Sequence, residues 1–322
     1  MRARRLGGTR VLVSSLGFGG APLGNLYAPL DDDRAAAAVD AAWDAGVRYY
    51  DTAPHYGLGL SERRLGAALA HRPRAEFTVS TKVGRLLEPH PAPTGSDLAA
   101  GGFAVPDNLI RRPDYSRDGV LRSLERSLTR LGLDRVDIVY VHDPEEHLDA
   151  ALHQALPALA ALRDEGVIGA VGVGANTVAP LLRAVEEADV DAVMVAGRWT
   201  LLDRTAAPLL DACARRGVSA VAAAPFNSGL LSRPRPPDDS SFDYGPAPGA
   251  VLRQAHRLAD VCARHGTVLP HAAVRFPLCH PAVVCVVAGF RAAHEVVSAA
   301  RWAGDDLSAA AWSDLDRCAG ER

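Results

Sequence analysis

The feature that most constrains the fold is a regular alternation of short apolar runs with longer amphipathic segments along the 322 residues. Eight runs rich in apolar and β-branched residues predict strands at 16–19, 47–51, 77–81, 137–141, 169–173, 192–195, 218–222 and 283–287. Segments with helical periodicity follow them at 33–45, 61–70, 118–131, 148–165, 178–187, 205–216, 251–265 and 292–302. Strands of this kind separated by helices predict a parallel sheet, and eight of them close a (β/α)8 TIM barrel.

Three further segments complete the predicted α/β architecture. The stretch 6–12 precedes the first barrel strand and predicts an N-terminal β-hairpin across the barrel floor. Two long stretches rich in Pro and Gly, 85–117 and 227–248, follow strands three and seven. They leave the C-terminal ends of their strands, where barrel enzymes build active sites, so we expect them to border a site. The chain is expected to form one barrel domain over 1–322.

Composition limits the partners that the chain can have. The formal net charge of −3 provides no basic surface for nucleic acid or a membrane. The longest apolar stretches, such as 282–288, are too short to span a bilayer. The five cysteines are odd in number and form no Cys-x-x-Cys pair, and no hydrophobic leader follows the basic N-terminus. We therefore expect a cytoplasmic protein with reduced thiols and a small-molecule substrate; the sequence leaves its oligomeric state open.

Four polar residues stand at or just beyond consecutive predicted strands. Asp51 ends the second strand, Tyr56 follows five residues later, and Lys82 and His142 come directly after the third and fourth. Parallel strand ends meet on one barrel face, so we expect these side chains to lie together. A phenol ionises near pH ~10 and becomes an acid or base at neutral pH when a cation lowers its pKa. We expect Lys82 to supply that cation and Asp51 to orient the Lys82 side chain. His142 is expected to hydrogen-bond the substrate oxygen with which the phenol exchanges its proton.

This combination predicts proton transfer to or from a carbonyl or carbinol oxygen. A metal site is not predicted, because His55 and His142 lack the spacing of ligands on a shared element. The chain also contains no Ser or Cys in a nucleophile-elbow sequence.

The chain resembles the aldo-keto reductase superfamily over essentially its whole length. The resemblance is carried by Gly17-Phe18-Gly19 and by the order and spacing of the four polar residues. The resemblance implies that Tyr56 is the general acid/base, that Lys82 and Asp51 tune it, and that His142 orients the substrate. A narrower similarity connects the chain to the branch of L-fucose and D-threo-aldose 1-dehydrogenases, L-galactose dehydrogenase and pyridoxal 4-dehydrogenase. That similarity is carried by the segments 51–59, 80–87, 114–116, 196–203 and 225–231.

The branch implies oxidation of the C1 carbinol of an aldose lactol to a lactone, with hydride transfer to NAD(P)+. One alternative is an NADPH-dependent reductase of aldehydes or ketones in specialised metabolism. Another is a weakly catalytic subunit that senses nucleotides. The substrate classes that follow are a sugar, an aldehyde or an alcohol, with His55 and Trp199 as candidate pocket residues.

The resemblance places a nicotinamide dinucleotide at the loops after the later strands. Asn176 is expected to bind the carboxamide and Phe226 to stack on the ring. The other candidate cofactor residues are Pro225, Asn227, Gly229, Gly289, Arg291 and Glu295. A carboxylate at Glu295 would repel a 2′-phosphate and accept a hydrogen bond from a 2′-hydroxyl, whereas Arg291 would pair with the phosphate. NAD is the preferred prediction and NADP the alternative.

Overall fold

The strands of residues 1–320, the part of the chain that the computed structural model describes, form a closed barrel. In chain order they are β1 (Ala3–Arg5), β2 (Leu12–Ser14), β3 (Leu16–Gly19), β4 (Tyr49–Asp51), β5 (Thr78–Val83), β6 (Arg85–Pro89), β7 (Leu109–Pro113), β8 (Ile138–His142), β9 (Ala170–Ala175), β10 (Ala192–Ala196), β11 (Ser219–Ala223), β12 (Ser241–Phe242), β13 (Gly245–Pro246) and β14 (Val283–Gly289). The barrel order is β3-β4-β5-β8-β9-β10-β11-β14, and β14 pairs in parallel with β3 to close it. The predicted barrel is confirmed, and each of its strands lies within two residues of its predicted bounds.

Helices surround the barrel and begin and end at residues suited to their termini. They are α1 (Asp32–Asp44), α2 (Leu60–Leu69), α3 (Leu98–Gly101), α4 (Arg117–Leu131), α5 (Leu148–Ala150), α6 (Leu156–Asp164), α7 (Val178–Glu187), α8 (Ala207–Arg216), α9 (Gly249–Arg264), α10 (Leu269–Arg275), α11 (Ala293–Gly304) and α12 (Ala309–Gly320). The Asp31 side chain caps α1 by accepting a hydrogen bond from the Arg34 amide at 2.8 Å. Gly132 ends α4 in the left-handed conformation, with φ 64°. The predicted helices did not include α3, α10 or α12.

The prediction of a single helix over 148–165 was wrong in one respect. A π-helical turn, Ala151–Ala155, separates α5 from α6. Pro157 lies in the first turn of α6. Proline lacks an amide hydrogen and its ring crowds the carbonyl four residues earlier, so the helix widens locally before it.

The N-terminal hairpin closes one end of the barrel, as predicted. β1 and β2 pair antiparallel, and the connection between them carries Leu6. Leu6 is fully buried among inward-facing strand residues, which include Tyr49 and Ile138. The amide of Gly7 donates to Ser219 Oγ at 2.7 Å at the start of β11. Leu6 is therefore the apolar plug of the barrel floor.

The two long stretches fold over the opposite end of the barrel. Residues 85–117 contain the antiparallel pair β6–β7 and the short helix α3. Residues 227–248 contain the pair β12–β13, whose tip residues Asp243 and Tyr244 both have positive φ, 50° and 66°. Two such residues match the tight turn that joins strands of a hairpin. Within residues 1–320, no helix combines the length and apolar composition needed to cross a bilayer.

Candidate active site

Strand alternation brings polar side chains together inside the C-terminal end of the barrel. Successive strand residues face opposite sides, so an inward residue places the residue two positions later inside as well. The buried pairs formed in this way are Tyr49 with Asp51, Ser80 with Lys82, and Tyr140 with His142. A layer of hydroxyl groups thus lies beneath a layer that holds a carboxylate, an ammonium and an imidazole.

Lys82 and Asp51 form a buried ion pair in this upper layer. Lys82 Nζ donates to Asp51 Oδ1 and Oδ2 at 2.8 and 2.7 Å, and to the Thr52 carbonyl oxygen at 3.0 Å. The two side chains are only 2 % and 3 % exposed. Ser80 Oγ also donates to Asp51 Oδ1 at 2.7 Å, and the Tyr49 hydroxyl lies 2.9 Å from Ser80 Oγ. Protein groups therefore fix the orientation of the carboxylate from below and from the side.

Tyr56 lies on the turn between β4 and α2, and its ring reaches the ion pair from above. Lys82 Nζ is 4.8 Å from the centroid of the Tyr56 ring. The His142 ring stands perpendicular to it at 5.9 Å between centroids. The backbone of the turn packs on Gly24, where an added Cβ would lie 2.6 Å from the Tyr56 carbonyl carbon, and Gly57 has φ 61°. The structure thus brings together all four residues of the predicted acid–base group.

The pKa of Tyr56 differs from the expectation. The sequence predicted that Lys82 would lower it, but burial raises the pKa of the phenol well above its ordinary value, and the charges of Asp51 and Asp143 raise it further. The reason is that the ammonium is directly paired with Asp51, so the pair has little net charge, while the Tyr56 ring is half-buried. Arg85 acts in the opposite direction. The neutral phenol is therefore the form that this environment favours at neutral pH.

The surroundings of both histidines of the site favour the uncharged imidazole. Burial lowers the pKa of His142 well below its ordinary value, and nearby positive charges, first that of Lys82, lower it further. Burial followed by the charge of Arg111 lowers the pKa of His55 in the same way. The His55 ring lies 5.6 Å from the His142 ring and 5.3 Å from the ring of Phe103. Two neutral imidazoles can each donate or accept a hydrogen bond beside Tyr56.

Asp143 connects several of these groups, although it was not among the residues predicted from the sequence. Its Oδ2 accepts from Arg85 Nη2 at 2.9 Å and lies 3.6 Å from His142 Nε2. Its Oδ1 accepts from Asn176 Nδ2 at 3.3 Å. Burial raises the pKa of Asp143 to about 6, although Arg85 opposes the shift. Its position directly after His142 was the one sequence signal for this role.

The stretch 85–117 forms one wall of the site and is held by a second buried ion pair. Arg111 Nη1 and Nη2 donate to the two carboxylate oxygens of Asp97, each at 2.6 Å. Arg111 Nη2 also donates to the His55 carbonyl oxygen at 3.0 Å. Phe103 of the same stretch packs 6.0 Å from the Tyr56 ring. No local sequence pattern marked Phe103, because its role depends on a contact between distant segments.

The candidate cofactor residues occupy the ends of β9, β11 and β14. Asn176 follows β9, and its Oδ1 accepts from the Tyr244 hydroxyl at 3.1 Å. Pro225 is buried and Phe226 half-buried, whereas Gly229 and Gly289 are exposed.

Asn227, which follows β11, is the candidate cofactor residue with an unmet hydrogen-bonding group. Its Nδ2 donates to the Gly197 carbonyl oxygen at 3.3 Å, but its buried Oδ1 has no hydrogen-bond partner within the described chain. An acceptor left unpaired in this way requires a specific explanation, and a bound ligand is one.

Arg291 and Glu295 are linked at the start of α11. Glu295 Oε2 accepts from the Arg291 backbone amide at 2.7 Å. The Arg291 guanidinium donates to three backbone carbonyl oxygens, those of Leu26 at 3.1 Å, Ala28 at 3.1 Å and Pro29 at 2.7 Å. This guanidinium therefore holds the segment 26–29 in place.

Trp199 makes its contacts in a different place from the four polar residues. Its ring lies 5.2 Å from that of Phe276 and 5.6 Å from that of His280, and its Nε1 donates to the Pro277 carbonyl oxygen at 3.3 Å. These contacts account for Trp199 as a packing residue beside the segment that leads into β14. A substrate contact of Trp199 remains a prediction that these contacts do not support.

Comparisons with known proteins assign the chain to a family. The aldo/keto reductase family matches residues 15–319. The chain belongs to this family. The resemblance inferred from sequence is therefore confirmed, and this aldo/keto reductase is an oxidoreductase of a family that uses nicotinamide cofactors.

Individual relatives match nearly the whole chain. The aldo/keto reductase is 48 % identical over 307 residues to a D-threo-aldose 1-dehydrogenase of Pseudomonas sp, covering 94 % of this chain and 93 % of the relative. It is 37 % identical over 330 residues to a pyridoxal 4-dehydrogenase of Microbacterium luteolum, covering 97 % and 96 %. The solved holo form of an aldo-keto reductase from Bacillus halodurans superimposes with a TM-score of 0.80 at 25 % identity, covering 100 % of this chain and 97 % of that one.

Proposed function

We propose that this aldo/keto reductase oxidises the C1 carbinol of an aldose lactol to a lactone and transfers the hydride to NAD(P)+. The observation that carries the proposal is the buried Lys82–Asp51 pair beneath the Tyr56 ring, with neutral His142 at its edge. The 48 % identity to a D-threo-aldose 1-dehydrogenase over 94 % of the chain supports the substrate class. Polar side chains next to Tyr56, namely His55 and Arg85, suit a ligand with several hydroxyl groups.

The side chains of the site have separate roles in this reaction. When bound, the nicotinamide ring accepts the hydride that leaves C1. Tyr56, as the phenolate, takes the proton from O1, so the C1–H and O1–H bonds break while the second C1–O bond forms. His142, as a neutral imidazole, hydrogen-bonds O1 and fixes its direction. Lys82 and Asp51 position the phenol from below.

The residues at the strand ends fit a nicotinamide dinucleotide at two points. The unpaired Asn227 Oδ1 offers a buried acceptor to a ligand donor at the end of β11. Asn176 presents an amide at the end of β9, beside Asp143 and therefore close to the acid–base group. Both positions lie on the barrel face where this fold binds its ligands.

The start of α11 supports the choice of NAD over NADP in this proposal. The Arg291 guanidinium already donates to three backbone carbonyl oxygens, so fewer of its five donors remain for a 2′-phosphate. Glu295, exposed and ionisable, would repel that phosphate. The substitution Glu295→Gln is expected to raise kcat/KM with NADP+ relative to NAD+; an unchanged ratio would remove Glu295 from the specificity argument.

The raised pKa of Tyr56 favours a second candidate function, the reduction of an aldehyde or ketone by the same residues. A neutral phenol can donate a proton to a carbonyl oxygen but must lose its proton before it can accept one. We therefore expect the oxidation rate to rise as the pH increases toward the alkaline range. The reduction rate should fall over the same interval.

The deciding experiment follows reduced nicotinamide by its absorbance, with NAD+ or NADP+ and a panel of aldoses. Tyr56→Phe should lower kcat by about 10²- to 10⁴-fold while nucleotide affinity is unchanged. Tyr50→Phe is the matched control, because its hydroxyl donates to the carbonyl of Val47, just before β4, and lies outside the site. Reduction of aldehydes without oxidation of any sugar would move the assignment to the reductase. Nucleotide binding without turnover in either direction would support the nucleotide-sensing subunit.

A further inference from the structure

A cavity lies at the N-terminal end of the barrel, opposite the candidate active site. It has a volume of about 540 Å³ and lies between the N-terminal hairpin, the end of α1, the end of α10 and the last turns of α11. Four arginines and one acid line it: Arg2, Arg4, Arg275, Arg301 and Asp306. Cavities of a few hundred Å³ are large enough for small organic ligands.

The charge in this cavity is unbalanced. Arg275 Nη2 pairs with Asp306 Oδ2 at 3.0 Å, which leaves three further guanidinium groups. The C-terminal ends of α1, α10 and α11 reach the cavity, and each contributes about half a negative charge. Subtracting one carboxylate and these three helix ends from four arginines leaves about 1.5 uncompensated positive charges.

Two local features show that the positive charge and the donors of the cavity are incompletely matched. Burial lowers the pKa of Arg4, and the charges of Arg2 and Arg275 lower it further. Arg275 Nε is buried and has no hydrogen-bond partner within residues 1–320. The interactions of Arg4 and Arg275 with backbone, to the Val283 carbonyl at 2.9 Å and the Ala303 carbonyl at 3.1 Å, engage one nitrogen of each group. Donors therefore remain on both.

We propose that this cavity, which we call the arginine cavity (Arg2, Arg4, Arg275 and Arg301), binds a small organic anion that carries two or more phosphoryl or carboxylate groups. The guanidinium fork matches the geometry of both groups and binds them through two parallel hydrogen bonds. A multiply charged ligand offsets the excess charge of the cavity and reaches arginines from three different segments of the chain. This site is independent of the proposed oxidation, because it lies at the other end of the barrel.

Isothermal titration with pyrophosphate and with citrate, at constant ionic strength, without NAD+ and then with saturating NAD+, tests the proposal. Arg2 and Arg301 are exposed, so the double substitution Arg2→Ala/Arg301→Ala removes two charges without disturbing the core. The matched control is Arg10→Ala/Arg215→Ala, which removes two exposed arginines that do not line the cavity. We expect one binding site, weakened about tenfold or more by the first double substitution and unchanged by the second.

Three results would overturn the proposal. The first is that neither anion binds the wild-type protein at millimolar concentration. The second is an equal loss of affinity in both double variants, which would indicate general attraction by surface charge. The third is loss of binding when NAD+ is added, which would place the anion in the candidate active site. Sugar oxidation is measured separately, so its failure is distinguishable from each of these.

Discussion

Breaking the buried Lys82–Asp51 pair should separate the stability of the barrel from its activity. Asp51→Asn leaves the Lys82 ammonium, 2 % exposed, with neutral acceptors only. Lys82→Met leaves the Asp51 carboxylate, 3 % exposed, with the Ser80 hydroxyl as its remaining side-chain donor. Removing one partner of a buried pair lowers the free energy of unfolding by about 3–5 kcal/mol, because an uncompensated charge stays inside.

The double variant Asp51→Asn/Lys82→Met contains neither charge. Replacement of a whole buried pair by neutral groups is often close to neutral, so we expect its unfolding free energy within about 1 kcal/mol of wild type. The two single effects would then sum to about 6–10 kcal/mol, far more than the effect of the double variant. Turnover should be lost in all three variants, because each lacks at least one of the groups proposed to position Tyr56.

Urea unfolding of the four proteins, with nicotinamide absorbance as the activity assay, gives both quantities. Nucleotide binding to the folded variants serves as the control that the barrel is intact. If the effects of the two single substitutions on the unfolding free energy add up in the double variant, Lys82 and Asp51 are not energetically coupled. That result would contradict the coupling that their 2.7–2.8 Å contacts indicate. Turnover in the double variant would refute the positioning role proposed for these two residues.

Three other predictions concern the surroundings of the site. Burial raises the pKa of Asp143 from its ordinary value near 4 to about 6, so its folded form binds more protons between those values. The stability that this group contributes is therefore lost as the pH rises through about 6. The unfolding free energy of wild type, relative to that of Asp143→Asn, should fall by about 2–3 kcal/mol between about pH 4 and pH 7. A difference between the two proteins that does not change with pH would contradict the raised pKa. Arg111→Ala should expose the stretch 85–117 to proteolysis and raise KM, whereas Arg112→Ala, whose side chain is 61 % exposed, should do neither. Leu6→Ala should lower the unfolding free energy by about 2–5 kcal/mol, and Leu12→Ala, on the same hairpin but 52 % exposed, by less than about 1 kcal/mol; equal effects would argue against the plug.

The barrel could be predicted because its information is local. Each strand is a short apolar run between helical segments, and the position of Asp51, Lys82 or His142 at a strand end places it on a known face. The π-helical turn before α6 also had a local signal, Pro157, that the helical periodicity concealed. Prediction thus succeeded where periodicity along one segment determines the structure.

The remaining features depend on contacts between distant segments. The pKa of Tyr56 rises because its surroundings are buried by residues such as Phe103, which come from a different part of the chain. Arg291 donates to the segment 26–29, more than 260 residues away. Arg85 meets Asp143 across 58 residues. No pattern in a single sequence indicates such pairings. They nevertheless determine the details of the site, so those details could not be predicted from the sequence.

The turn that carries Tyr56 has a consequence for how the range of substrates can change. Gly24 and Gly57 press backbone against backbone at this turn, so no side chain at either position can be enlarged to move the phenol. Substitutions that change the range of substrates must then occur in the walls of the site. Phe103 and Tyr244 contribute to these walls and belong to the long stretches 85–117 and 227–248. Libraries confined to these stretches should yield altered selectivity with the acid–base group left intact, while libraries at the two glycines should yield mostly inactive protein.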